Sequence, residues 1–112
     1  MEITTERNGE TLIAKAEGRV DGANARDFQN ALEAEIDEKD RLVLLDLEQL
    51  TYISSAGLRV ILLIAKALRR QGASFAVCSL SDTLGEVFEV SGFDKIIPIH
   101  SSPSDALAAF SN

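Results

Sequence analysis

The sequence predicts an α/β fold: a mixed sheet with an antiparallel N-terminal hairpin, the remaining strands parallel, and about four helices in βα crossovers. Three observations lead there. Asn8-Gly9 separates two weakly alternating runs, which is the strongest short-range hairpin signal. Leu42-Val43-Leu44-Leu45 is an apolar run without alternation, as expected of a strand covered on both faces. From there on, segments of strand length alternate with segments of helical period, and that order implies parallel pairing through right-handed crossovers.

Each element has its own signal. Residues 2–7 alternate weakly, and Thr11 to Glu17 alternate again, with Leu12, Ala14 and Ala16 set against Thr11, Ile13, Lys15 and Glu17. After Gly18 and Gly22, apolar residues Ala25, Phe28, Ala31, Leu32 and Ile36 fall at helical spacing, predicting an amphipathic helix over 23–38 that Asp21 or Asn24 can cap. Arg41 to Leu47 is the central strand. Residues 55–71 form the longest helix, closed by Gly72, where glycine accepts the left-handed conformation. Ala73 to Ser79 is the next strand, and Leu80 to Val90 the next helix, ended by Ser91-Gly92. Lys95 to Ile99 reads as a short strand that stops or lies at an edge, because Pro98 has no N–H to donate. Ser102-Pro103-Ser104-Asp105 supplies a capping serine, proline at the first helical position and an early acid, starting a last helix that runs to Phe110.

The chain has 112 residues, 46% of them apolar, and no linker or low-complexity tract, so residues 1–112 are expected to form one domain around one core. A formal net charge of -7 opposes nucleic acid and anionic membrane surfaces, whose binding rests on Lys and Arg. The longest apolar run, Val60 to Ala65, is far too short to span a bilayer, and no basic segment near Met1 leads into an apolar stretch. Cys78 is the single cysteine and lies in an apolar strand, so a buried small hydrophobe is expected rather than a disulfide or a thiolate metal site. A cytoplasmic protein without cofactor or metal is the expectation.

The most distinctive stretch is Asp46-Leu47-Glu48-Gln49-Leu50-Thr51-Tyr52-Ile53-Ser54-Ser55-Ala56-Gly57-Leu58, where the central strand gives way to a turn and then the long helix. Two serines therefore stand at a helix N-terminus, whose unpaired N–H groups and dipole favour a phosphate. On the residues alone, Ser54 as a simple cap is the favoured reading. On the long helix, at about 100° per residue, Arg59, Lys66 and Arg70 form a narrow basic stripe flanked by Leu62 and Leu63, more apolar surface than one sheet face needs. That surplus suits either packing between helices or a partner groove.

Taken together, these segments resemble the STAS domain found in bacterial anti-sigma factor antagonists. The resemblance rests on the hydrophobic strand, Asp46-Leu47, the aromatic Tyr52 and Ser55-Ala56-Gly57-Leu58. It extends to Gly18-Arg19-Val20-Asp21 before the first helix and to residues 87–97 near the end. It implies a STAS-type single domain in which Ser55, two positions before the motif glycine, is the phosphorylated serine, and Asp21 the acid beside it. Ser54 stands where relatives often carry Asp, which makes it a competing site. The resemblance further implies partner-switching regulation of transcription. The unphosphorylated protein binds an anti-sigma factor that is also a serine kinase; phosphorylation releases it, and a serine phosphatase resets the cycle. Partner-binding residues expected on these grounds are Asp21, Gly57, Leu58, Arg59, Leu62 and Leu63, in a monomer or weak dimer. The alternatives are a constitutive STAS accessory or scaffold subunit of a transporter or signalling assembly, and a small-anion or nucleotide binder using the same helix end. Catalysis is not expected, since His100 is the only histidine and no nucleophile elbow or phosphate-binding loop is present.

Overall fold

The computed structural model describes residues 1–111. Its elements are β1 (Glu2–Asn8), β2 (Thr11–Val20), α1 (Ala25–Glu35), β3 (Leu42–Asp46), β4 (Leu50–Ile53), α2 (Ser55–Gln71), β5 (Ser74–Cys78), α3 (Asp82–Val90), a 3-10 turn (Phe93–Lys95), β6 (Ile99–His100) and α4 (Pro103–Ser111). The strands lie in the order β1-β2-β3-β5-β6, with β4 beside β2. β1 and β2 are antiparallel and every other pairing is parallel. This is the mixed sheet that the hairpin and the alternating order predict.

Asn8 pairs with Thr11, so the turn is Gly9-Glu10, one residue later than the Asn-Gly pair suggests, with Gly9 at φ 62. A positive φ at the first central residue is what a II′ hairpin turn needs, and glycine supplies it without strain.

The alternation along β2 sorts its side chains between two cores. Leu12, Ala14 and Ala16 join Val43, Leu45 and Val77 under α1, α2 and α3, while Ile13, Leu44, Ala76 and Cys78 face α4 through Ala106. Three helices thus cover one face and one short helix the other. β1 is held to this body by more than its ladder. The Arg7 guanidinium pairs with the Asp40 carboxylate and also donates to the Glu35 carbonyl at 2.8 Å, while the second Asp40 oxygen accepts from the Asp37 N–H at 2.8 Å.

Two expectations need correction. Leu50–Ile53 was expected to belong to the turn after the central strand, but it forms β4, pairing with the far end of β2. The segment expected as a strand from Lys95 to Ile99 begins as a 3-10 turn, and only Ile99 and His100 pair, with Val77 and Cys78. The reason is packing: Phe93 sets its ring edge-on to Phe88 with centroids 6.2 Å apart, Ile97 is buried, and the chain must coil to place both. The missing N–H of Pro98 keeps it out of the ladder as a donor, although its carbonyl accepts from Val77 at 3.0 Å.

Candidate functional site

The site is built where β2 ends, β4 runs beside it and α2 begins. β4 pairs Leu50 with Gly18, then Tyr52 with Arg19 and Ile53 with Val20, so a bulge absorbs Thr51, whose hydroxyl donates to the Gly18 carbonyl at 3.0 Å. Gly18 sits at φ 97, a conformation that side chains resist, which allows β2 to change partner from β3 to β4 without breaking. Beyond the bulge the Val20 carbonyl accepts from the Ser54 N–H at 2.9 Å, tying the entry of α2 to the end of β2. Asp21, the next residue, is thereby brought alongside the two serines.

The serines differ in what their hydroxyls do. Ser54 is the N-cap: its hydroxyl accepts from the Gly57 N–H at 3.3 Å and its carbonyl from Leu58 at 2.9 Å. Ser55 is the first helical residue and is exposed, and among the described residues its hydroxyl has no hydrogen-bond partner. No acid lies in the first turn of α2, so its dipole end meets no carboxylate of its own helix. Arg59 is exposed one turn further along.

Asp21 is half-buried and organises its loop, accepting from the Ala23 N–H at 2.9 Å and the Asn24 N–H at 3.3 Å through one oxygen. Asn24 stands at the N-cap of α1 but turns its side chain back, accepting from the Asp21 N–H and donating to the Arg19 carbonyl, both at 2.9 Å. The loop is therefore closed on itself, and the other Asp21 oxygen makes no hydrogen bond among the described residues.

Gly57 and Leu58, expected among the partner-binding residues, are both buried in the free chain, with Leu58 8% exposed. The glycine is required by proximity: a Cβ there would stand 2.6 Å from Ile53 Cγ1 and 2.8 Å from Val20 Cγ1. Gly57→Ala should therefore destabilise the domain by about 1 kcal/mol net, overpacking of roughly 2 kcal/mol outweighing a helix-propensity gain of about 1 kcal/mol. Urea unfolding checks this, and Gly57→Val should cost more. Leu62 is half-buried, whereas Leu63 is 42% exposed.

Sequence reasoning missed the pair Arg19 and Tyr52. They are register partners across β2 and β4, and the guanidinium lies 4.3 Å from the ring centroid, forming an exposed cation-π platform next to Ser54. Both residues stood in the recognised motifs; only the pairing of β2 with an unforeseen β4 reveals that they meet.

His100 lies on β6, three strands from β2, or roughly 14 Å across the sheet at the usual strand spacing, which is too far to act as a base for either serine. Burial pushes the Cys78 thiol above its ordinary value, its hydrogen bond with Ser79 pulling the other way, which makes the thiolate scarce. Among the described residues, no group of three or more His, Cys, Asp and Glu is arranged to hold a metal ion, and no helix is long and apolar enough to cross a membrane.

Comparison with known proteins agrees with this geometry. The STAS domain family model matches residues 2–106. BtrV of Bordetella bronchiseptica, a protein named for anti-sigma factor antagonism, is 46% identical over 110 residues, covering 98% of this chain and 95% of its own length. The crystal structure of a Thermotoga maritima protein of the same description superposes with a TM-score of 0.91 at 22% identity, covering 98% of this chain and 95% of that one. The Bacillus cell fate determinant SpoIIAA in its phosphorylated form gives a TM-score of 0.72 at 17% identity, covering 97% of this chain and 99% of that one.

Proposed function

Because this chain belongs to the STAS domain family, among the anti-sigma factor antagonists, we propose that it is a phosphorylation-switched binding protein whose switch is Ser55. With the hydroxyl bare it binds an anti-sigma factor that is also a serine kinase, which frees the sigma factor. Transfer of phosphate from ATP to Ser55 releases the complex, and a serine phosphatase restores the bare form. The chain serves as ligand and substrate.

The observation that carries this reading is the difference between the two serines. Ser54 has its hydroxyl committed to the Gly57 N–H, while Ser55 offers an exposed, unbonded hydroxyl at a helix N-terminus without a first-turn acid. A phosphate there meets unpaired N–H groups and the favourable dipole end, with Arg59 one turn away. SpoIIAA, a protein of the same fold, exists in a phosphorylated form.

The surface around Ser55 supports a partner. Asp21 follows the strand end to which Ser54 is bonded, exposed Arg59 lies one turn along α2, and Leu63, 42% exposed, lies about two turns along the same helix. Leu63→Asp is expected to weaken partner binding by about tenfold while moving the melting temperature by no more than about 2 °C, because little buried area is lost. The decisive test of the switch is the intact mass of protein isolated from its own cells, with and without phosphatase treatment. A phosphate that phosphatase removes and that Ser55→Ala prevents is the expected result. Full phosphorylation of Ser55→Ala would move the switch to Ser54, and no phosphate under any growth condition would replace it with the constitutive accessory or scaffold role.

A further inference from the structure

Charge is distributed unevenly over this acidic chain. α2 carries Arg59, Lys66, Arg69 and Arg70 and no carboxylate, whereas α3 carries Asp82, Glu86 and Glu89 and no cation. Each helix borders a groove. Lys66 and Arg69 rim one of about 300 Å³ with an apolar lining that includes Leu62, Phe75, Ile96 and Pro98. Glu86, Glu89 and Asp94 rim the other, of about 760 Å³, between α3 and β6. None of these five charged side chains makes an ion pair among the described residues.

The segment from the end of α3 through the 3-10 turn contributes to both grooves, and we take it as the ridge between them. Val90 on the ridge lines the acidic groove and Ile96 the basic one, and they are the two most exposed large apolar side chains in the described structure, at 84% and 60%. Exposed Lys95 lies between them on the same ridge. An apolar centre with opposite charges on its two sides is self-complementary under a two-fold axis: turned by half a revolution, the basic side of one copy meets the acidic side of the other, twice.

We propose that this ridge is a homodimer interface, isologous, with Val90 and Ile96 at its centre and Lys66 and Arg69 of each copy facing Glu86, Glu89 and Asp94 of the other. The net charge of -7 on each copy opposes association, so the dimer is weak and depends on the local pairing of the patches. Lys66 is 11 residues along α2 from Ser55, about 16 Å at the helical rise, so dimerisation leaves the switch serine uncovered and is independent of its state.

Sedimentation equilibrium of the purified chain tests this, with no other protein required. The weight-average mass should climb towards twice that of the monomer between about 10 μM and 1 mM, the range of a small interface. Val90→Ser and Ile96→Ser, which change no net charge, should each raise the dissociation constant by roughly tenfold with melting temperatures held, as expected of exposed side chains. The charge exchange is more specific. A copy with Lys66→Glu and Arg69→Glu and a copy with Glu86→Lys and Glu89→Lys should each be monomeric alone and form a one-to-one pair when mixed. A monomer throughout, association insensitive to Val90→Ser and Ile96→Ser, or a mixture that fails to pair would overturn the proposal. Assembly that continues past two copies would overturn the two-fold geometry. None of these outcomes bears on Ser55, which the intact-mass experiment tests separately.

Discussion

Phosphate on Ser55 is expected to weaken binding of the anti-sigma partner by about 100-fold or more, with the melting temperature unchanged or raised by a few degrees. The two effects have one cause, the place at which the charge arrives. Phosphorylation adds about 1.5 to 2 negative charges at neutral pH. In the free protein they lie in solvent at a helix N-terminus, where the dipole contributes a stabilisation of roughly 0.3 to 1 kcal/mol. In a complex packed over Ser55 the same charges must lose their water beside half-buried Asp21, and a buried charge without a partner costs about 2 to 5 kcal/mol. Calorimetric titration of the partner into each form, beside thermal melts, measures both quantities. Ser55→Ala should bind constitutively, and Ser55→Asp, with a single charge and a shorter reach, should reproduce only part of the loss. Equal affinity of the phosphorylated and bare proteins would end the switch reading.

Arg7→Met is expected to lower the unfolding free energy by about 3 kcal/mol, which for a domain of this size moves the melting temperature on the order of 15 °C. The Asp40 side chain is wholly buried, while that of Arg7 is 39% exposed. Removing the arginine leaves a carboxylate in the interior with only the Asp37 N–H, whereas removing the carboxylate leaves a guanidinium that can turn to water. Asp40→Asn should therefore cost less, about 1 to 2 kcal/mol. The partial exposure of Arg7 keeps the larger figure at the low end of the range for buried pairs. Denaturant unfolding of the two variants and of the double variant checks the order; Asp40→Asn proving the more costly would show that the Asp37 anchor matters more than the buried charge.

The elements with a strong local signal were legible in the sequence. The bounds of α2 come from its long apolar period and from Gly72, which adopts φ 84, and α4 from the Ser102-Pro103 start, with the Ser102 hydroxyl accepting from Asp105 at 3.1 Å. The parallel order followed from alternation alone. What failed lay where tertiary contacts decide. The four residues of β4 have no period to read, and their strand character comes from an edge that β2 offers beyond its bulge. Ile96-Ile97 reads as a strand because both are β-branched, yet one is exposed and the other buried within a coil set by Phe93 on Phe88. Within the candidate site, the sequence placed Ser54 and Ser55 at the start of the long helix, where the structure has them. The division of their roles, Ser54 as cap and Ser55 as phosphosite, leaned on the family resemblance, because which hydroxyl caps a helix depends on a boundary fixed to a single residue. Leu58 was expected at the partner surface because the resemblance implied it, and one position on the helix separates its buried side chain from exposed Arg59.

β2 joins two different partners along one unbroken strand, holding β3 over residues 11–15 and β4 over residues 18–20. The frame beneath Ser55 is thus continuous with the centre of the sheet, and the entry of α2 is fastened to it by the Val20 carbonyl and the filled space at Gly57. On the proposed reading, a phosphate on Ser55 would act as an electric field at this fastened surface, felt by a partner that touches or closely approaches it.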